Sequence, residues 1–331
     1  MGFYKIMFKI IKISTLTLFS LLLCFLTYRL CYLVTEKHLF DKLFYQKSVA
    51  HGYGLYYNPK LKLENFGNRA KDLIILESNY QPILDVTDNS KFKIAIIGDS
   101  FVWGQEIINQ QRFAEILSNQ LNKIKSTKVI SLGRPGWNIL DYLRTYQQIK
   151  NLYSPDLIIF SLVTNDILIN QLGIGNSTDL ITHCLQLNPN SSVVYDTDLN
   201  NTSQNNFPDN KLETLYQILT KAWSNPTNQC ILDSSLKILP SDNAIYFIAE
   251  GYDNWDQTRS FKQYLLNNYK YTLSSDIGKN MAKYRKNWEN DPWKNFIIST
   301  TEGHPNALAN QMYADILFNE ITTNPKWRFT K

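Results

Sequence analysis

Cysteine is scarce in this sequence, with four in 331 residues, and their spacing excludes the common cysteine-based metal centres. No CxxC motif occurs, and no histidine–cysteine pair has the spacing of a zinc site. Cys24 and Cys31 lie in an apolar N-terminal segment. Cys184 and Cys230 lie in the body of the chain, where they form either a disulfide, which an oxidising compartment would permit, or two buried free thiols.

Most of the chain also lacks an excess of charge of either sign. The formal net charge is +5, and residues 1–38 contribute +4 of it, because they contain five basic side chains against Glu36 alone. A net charge of +1 remains for the other 293 residues. Such a body has no electrostatic attraction for nucleic acid, so we expect no nucleic-acid partner.

One long apolar run is present, at residues 13–34, and Arg29 is its only charged residue. A helix of about 20 mainly apolar residues is long enough to span a bilayer. Lys5, Lys9 and Lys12 precede the run, so the positive-inside rule predicts a cytoplasmic N-terminus (residues 1–12) and a translocated body. We interpret residues 13–34 as an uncleaved signal anchor. A cleaved signal peptide and a buried soluble helix are the alternatives.

Beyond an irregular linker at residues 35–90, short apolar runs alternate with segments of helical periodicity. The runs are residues 92–97, 129–132, 157–163, 244–248 and 296–298. The helical periodicity lies at residues 113–121, 139–146 and 308–317. Apolar runs without alternation are typical of parallel strands buried on both faces. The pattern predicts a doubly wound α/β domain over residues 91–325.

Residues 172–240 interrupt this alternation with a stretch rich in asparagine, serine and aspartate. Its clear helical signal lies near residues 211–223. We interpret it as an insertion at the active-site end of the sheet, either a lid or specificity element or a passive surface loop.

Four short segments, each following a predicted strand, contain the residues suited to acyl transfer. Ligands bind beyond the carboxyl ends of strands in such sheets. Ser100 can act as nucleophile and His304 as the base that activates it. The backbone N–H groups of Ser100 and Gly136 and the side-chain amide of Asn165 can stabilise the oxyanion. Asp99 and Asp166 are expected to support these loops.

These segments resemble the four blocks of the SGNH (GDSL) hydrolase superfamily. The residues that carry the resemblance are Gly98-Asp99-Ser100, the glycine block ending at Gly136, Asn165-Asp166 and His304-Pro305-Asn306, in the family's order. The resemblance covers roughly residues 91–322. It implies a flavodoxin-like three-layer α/β/α sandwich with a five-stranded parallel sheet. It also implies an acyl-ester substrate and chemistry that needs no metal or organic cofactor.

Two positions depart from the family's pattern. Its third block usually reads Gly-x-Asn-Asp, and Val163 occupies the glycine position here. An aspartate commonly lies three residues before the histidine, where this chain has Thr301. The nearest carboxylate is Glu302, which either completes a triad with His304 or points away and leaves a Ser–His dyad.

The sequence thus predicts a membrane-anchored serine esterase, periplasmic or at the cell surface, that removes O-acyl groups from a cell-envelope glycan or lipid. The first alternative is an O-acyltransferase acting on a surface polysaccharide through the same serine. The second is an inactive SGNH-like binding protein, which Thr301 in the acid position favours.

Overall fold

The computed structural model describes residues 92–104, 107–134, 136–169, 178–195, 211–250, 256–299 and 302–329, together with Ser20, Leu23 and Thr27. The predicted anchor (13–34) and linker (35–90) otherwise lie outside the described residues. No helix among the residues described is long and apolar enough to cross a membrane.

A five-stranded sheet forms the centre of the domain. Its strands are β1 (Phe92–Gly98), β2 (Thr127–Gly133), β3 (Leu157–Leu162), β4 (Ala244–Ile248) and β5 (Thr272–Ser274). Every neighbouring pair is parallel, and the spatial order is β2-β1-β3-β4-β5. This order confirms the predicted doubly wound α/β class.

The fifth strand of this sheet is not the one that the sequence indicated. Of the apolar run at 296–298, Phe296 ends a short helix and the other two residues belong to β6 (Ile297–Ser299), which pairs antiparallel with β7 (Glu302–Pro305) outside the main sheet. Phe296 and Ile297 are apolar because they are buried in the core of the domain. The true fifth strand reads Thr-Leu-Ser, and three residues with one apolar side chain carry no strand signal.

Ten helices lie among the described residues. They are α1 (Ser100–Trp103), α2 (Phe113–Leu121), α3 (Ile139–Leu152), α4 (Thr178–Leu187), α5 (Lys211–Trp223), α6 (Pro226–Ile238), α7 (Asp256–Asn268), α8 (Ala282–Asn290), α9 (Pro292–Phe296) and α10 (Ala307–Thr323). Short 3-10 turns follow the main strands at Thr164–Ile167 and Ser275–Asn280.

Helices cover both faces of the sheet. Side chains of β1 alternate between two cores, Ala95 and Ile97 on one face and Ile94 and Ile96 on the other, and all four are fully buried. The first core includes side chains of α3 and α6. The second includes side chains of α2 and α10. The domain is therefore the three-layer sandwich that the family resemblance implied.

The described parts of residues 172–240 are mostly helical, and both their helices and the non-helical segment at 188–195 contribute to the first core. The predicted helix near 211–223 is α5, whereas α6 was not predicted. The apolar periodicity of α6 is weak in the sequence, because polar side chains occupy part of its buried face. Asn228, for example, is fully buried and bonds to Val194 N, Ile167 O and Val194 O at 2.8–3.0 Å.

Cys184 of α4 and Cys230 of α6 form a disulfide, with a Cα–Cα distance of 5.7 Å. The structure thus selects one of the two alternatives that the sequence left open. The bond ties α4 to α6 on one face of the sheet.

Candidate active site

Ser100 opens α1 and is separated from the end of β1 by Asp99 alone. Asp99 caps this helix, because its Oδ1 accepts a hydrogen bond from the N–H of Phe101 at 2.9 Å. The last residues of β1 and β2, Gly98 and Gly133, pair in register beneath α1. A Cβ at Gly98 would lie 2.3 Å from Val102 Cγ2, and one at Gly133 would lie 2.6 Å from Val102 Cβ. The two glycines therefore let α1 pack on the strand ends and present Ser100.

His304 reaches Ser100 from the far end of the sequence. Its Nε2 lies 2.8 Å from Ser100 Oγ. Asn306 fixes the chain just after it, because its side chain donates to Asn295 O at 2.9 Å and to Ile297 O at 3.0 Å. Its Oδ1 also caps α10 through Ala309 N at 3.0 Å. The hairpin of β6 and β7 and the start of α10 thus position the imidazole.

The hydroxyl of Ser100 has a second neighbour in Asp99. Ser100 Oγ lies 3.1 Å from Asp99 Oδ2, and both side chains are buried. Burial raises the pKa of Asp99 from 3.8 to about 6, although the Phe101 N–H and His304 oppose the shift. Asp99 thus combines helix capping with a negative charge beside the Ser–His pair.

Gly136 and Asn165, the predicted oxyanion donors, are both exposed on loops that follow β2 and β3. Gly136 has φ +79°, which a residue with a Cβ adopts only with strain. Asn138 ends this loop with a capping box at the start of α3, in which the N–H of Asn138 donates to Asp141 Oδ2.

Val163 is accommodated in the position where the family usually has glycine. Its backbone is extended, with φ −131° and ψ 162°, and its side chain is fully buried. No left-handed conformation is needed at this position, so a β-branched residue fits.

Asp166 supports the Asn165 loop from within. It accepts hydrogen bonds from Val163 N at 2.8 Å and from the Tyr142 hydroxyl at 2.7 Å. Burial, together with the charge of Asp99, raises the pKa of Asp166 well above 3.8. The supporting role that the sequence predicted for this side chain stays a prediction, and these contacts are its structural basis.

The acid predicted for His304 falls outside the described side chains. Glu302 is the first residue of β7, and neither its side chain nor Thr301 is among the parts described. The choice between a triad through Glu302 and a Ser–His dyad therefore stays a prediction.

Glu250 is a site residue that the sequence analysis missed. It comes two residues after β4, and its Oε2 accepts a hydrogen bond from the N–H of Thr164 at 2.7 Å. Its charge interacts with both Asp99 and His304. Burial raises the pKa of Glu250, against the opposing effects of the Thr164 hydrogen bonds and His304. The signal was available, since a carboxylate at a strand end follows the same rule as the four blocks.

No group of three or more histidine, cysteine, aspartate or glutamate side chains within the described ranges is arranged to hold a metal ion. At one edge of the sheet, the site combines a hydroxyl, an imidazole, backbone and amide donors, and three carboxylates.

Among solved structures the chain is similar to several esterases and lipolytic proteins. A catalytic mutant of an acetylxylan esterase from Geobacillus stearothermophilus is 11% identical, with 70% of this chain and 94% of that chain covered and a TM-score of 0.38. A psychrotrophic esterase from Pseudoalteromonas sp. is 12% identical, with 70% of this chain and 97% of that chain covered and a TM-score of 0.36. A G-D-S-L family lipolytic protein from Veillonella parvula is 16% identical, with 70% and 98% covered and a TM-score of 0.33.

No curated protein matches the chain. The model of the GDSL-like lipase/acylhydrolase family matches residues 94–317, which is more than half of the sequence and contains Ser100, Gly136, Asn165 and His304. The chain therefore belongs to the GDSL-like lipase/acylhydrolase family of ester-bond hydrolases.

Proposed function

We propose that this protein is an extracytoplasmic serine esterase that removes O-acyl groups through an acyl-enzyme on Ser100. The observation that carries the proposal is the 2.8 Å contact between His304 Nε2 and Ser100 Oγ. A serine hydroxyl is a weak nucleophile until a base takes its proton, and a base must lie within hydrogen-bond reach to do so.

In the first half of the reaction, Ser100 Oγ attacks the carbonyl carbon of the ester while its proton passes to His304 Nε2. The carbonyl oxygen becomes negative in the tetrahedral intermediate. The intermediate collapses, the C–O bond to the alcohol breaks, and the imidazolium returns the proton to the leaving oxygen. An acyl-Ser100 ester and a free alcohol result.

In the second half, His304 takes a proton from water, and the resulting hydroxide oxygen attacks the acyl carbon. The acid is released and Ser100 regains its proton from the imidazolium. Both halves generate an oxyanion and an imidazolium. The site therefore needs N–H donors near the oxyanion and negative charge near the imidazolium.

Three groups are suited to bind the oxyanion, namely the backbone N–H of Ser100, the backbone N–H of Gly136 and the side-chain amide of Asn165. Ser100 opens a short helix and Gly136 lies in a left-handed turn. Asn165 lies in a loop anchored by Asp166 and Glu250. Losing one such donor typically lowers kcat by about 10²–10³.

The proposed location rests on two features. The apolar run at 13–34 with its preceding lysines favours translocation of the body. The disulfide between Cys184 and Cys230 suits an oxidising compartment outside the cytosol. From such a location we propose an O-acyl group on a cell-envelope glycan or lipid as the substrate.

The test is hydrolysis of p-nitrophenyl acetate by the purified full-length protein, with Ser100→Ala and His304→Ala as variants. We expect turnover by the wild type and a loss of at least about a thousandfold in either variant. Equal activity of the wild type and Ser100→Ala would refute the proposal. Adding an acetyl-accepting oligosaccharide separates hydrolysis from transfer, because a transferase would yield acetylated sugar in place of acetate.

A further inference from the structure

Glu250 is carried by a backbone that is fixed from two sides. The N–H of Ala249 donates to Leu162 O of β3 at 3.0 Å, and Ser275 Oγ donates to Ala249 O at 2.8 Å. Ala249 itself is fully buried. The carboxylate of Glu250 therefore extends from a rigid point at the same sheet edge as Ser100.

The carboxylate contacts the loop that presents Asn165. Its Oε2 lies 2.7 Å from the backbone nitrogen of Thr164, the residue just before Asn165. The hydroxyl of Thr164 is bonded in turn to the hydroxyl of Thr258 on α7 at 3.0 Å. Since Asp166 holds Val163 N, the two residues preceding Asn165 both have their N–H groups bound by carboxylates.

The same carboxylate also contributes to the electrostatic environment of His304. Asp99, from the end of β1, and Glu250, from the end of β4, both interact electrostatically with this imidazole. Asp166 is a third carboxylate in this part of the site, since its charge interacts with those of both Asp99 and Glu250. Negative charge in a partly buried site stabilises a neighbouring cation more strongly than it would in water.

We propose that Glu250 is a positioning residue of the esterase reaction. It holds the backbone that presents Asn165 to the oxyanion, and its charge stabilises the His304 imidazolium that forms in both halves of the cycle. This inference rests on the proposed function and adds a carboxylate from β4, whatever the role of Glu302.

Two substitutions separate these effects. Glu250→Gln keeps an oxygen that can accept from Thr164 N–H but removes the charge. Glu250→Ala removes both the acceptor and the charge. Glu289→Gln, at an exposed position on α8 that is 64% exposed, is the matched control for a change of net charge. The measurement is the pH dependence of kcat and KM for p-nitrophenyl acetate between about pH 5 and pH 9.

For Glu250→Gln we expect kcat to fall about tenfold with KM unchanged within about twofold, because the charge acts on the transition state and not on binding. Glu250→Ala should lose about a hundredfold, because Asn165 is then also released. Glu289→Gln should match the wild type.

Folding is checked by thermal unfolding of each variant, and Glu250→Gln should unfold no earlier than the wild type because it removes a buried charge. An active wild type with a Glu250→Gln profile that coincides with it at every pH would overturn the role of Glu250 and leave the esterase proposal intact. An inactive wild type would overturn both. A Glu250→Gln variant with an unchanged kcat and a raised KM would also contradict a role of its charge in the transition state.

Discussion

At the scale of single residues, the hydroxyl of Ser100 lies between an imidazole nitrogen and a carboxylate oxygen. His304 Nε2 is 2.8 Å away and Asp99 Oδ2 is 3.1 Å away. Asp99 is 1% exposed, and burial raises its pKa to about 6. The charge that Asp99 adds to the site therefore reduces the stability of the folded chain at neutral pH.

Replacing Asp99 by asparagine should stabilise the protein in a pH-dependent way. Between pH 3.8 and about 6 the folded chain retains a proton on Asp99 that the unfolded chain has released, so stability falls as pH rises through this window. Asp99→Asn removes this cost and still caps α1, because asparagine is as good an N-cap as aspartate. The variant's advantage should grow by about 1 kcal/mol from pH 5 to pH 7.

Urea unfolding of both proteins at pH 5, 6 and 7 measures this difference. The contribution of Asp141 is common to both proteins and cancels in this difference, whereas Asp166, whose pKa the charge of Asp99 raises, adds to it in the same direction. A difference that is constant across this range would show that Asp99 has its ordinary pKa in the folded chain.

At the scale of elements, α1 is a single turn whose placement depends on the two glycines beneath it. A Cβ at Gly98 would first meet Val102 Cγ2, at 2.3 Å, which is a side-chain atom. A Cβ at Gly133 would meet Val102 Cβ at 2.6 Å and the backbone oxygen of Asp99 at 2.8 Å. The two positions therefore differ in whether a smaller residue at position 102 relieves the clash.

Gly98→Ala and Gly133→Ala should each lower stability by about 1–3 kcal/mol and reduce activity by displacing Ser100. Adding Val102→Ala should recover part of the activity of Gly98→Ala, because the obstructing Cγ2 is removed. It should recover less for Gly133→Ala, where Val102 Cβ and the Asp99 oxygen remain. Esterase rates and thermal midpoints of the five variants, including Val102→Ala alone, provide the comparison. Equal recovery at both positions would mean that contacts with the Val102 side chain do not set the position of α1.

The disulfide between α4 and α6 should be a major source of stability for this face of the sheet. It closes a loop with a sequence separation of 46 residues, and removing a native disulfide typically costs about 2–4 kcal/mol. We expect Cys184→Ala with Cys230→Ala to lower the free energy of unfolding by about this amount. The control is denaturant unfolding of the wild type with and without reductant. An unfolding midpoint that changes neither with the double substitution nor with reductant would contradict the expectation.

At the scale of the whole molecule, the order of the main elements could be predicted from the sequence. The apolar runs at β1, β3 and β4 are buried on both faces, so hydrophobicity alone identified them. The sequence did not predict β5 (Thr272–Ser274) or α6 (Pro226–Ile238). A three-residue edge strand needs little apolar surface, and the buried face of the helix contains Asn228 and Ser235.

For the site, as for the fold, the sequence indicated residues in a clear local pattern and did not indicate those identified only by contacts in the folded chain. Ser100 and Asn165 follow β1 and β3, as their blocks predicted, whereas His304 lies in β7, outside the main sheet, and reaches Ser100 from there. The catalytic roles of the three residues stay predictions. Glu250 also follows a predicted strand, but that position alone does not distinguish a site carboxylate from an ordinary loop carboxylate. Its contact with Thr164, 86 residues away, is visible only once β3 and β4 lie side by side.

The central claim is that Ser100 becomes acylated, and trapping that acyl-enzyme tests it most directly. The full-length protein is mixed with p-nitrophenyl acetate, quenched in acid and analysed by peptide mass spectrometry. We predict one acetyl group on the peptide containing Ser100 in the wild type. Acetylation of Ser100→Ala at the same level, or at another residue of the wild type, would contradict the account.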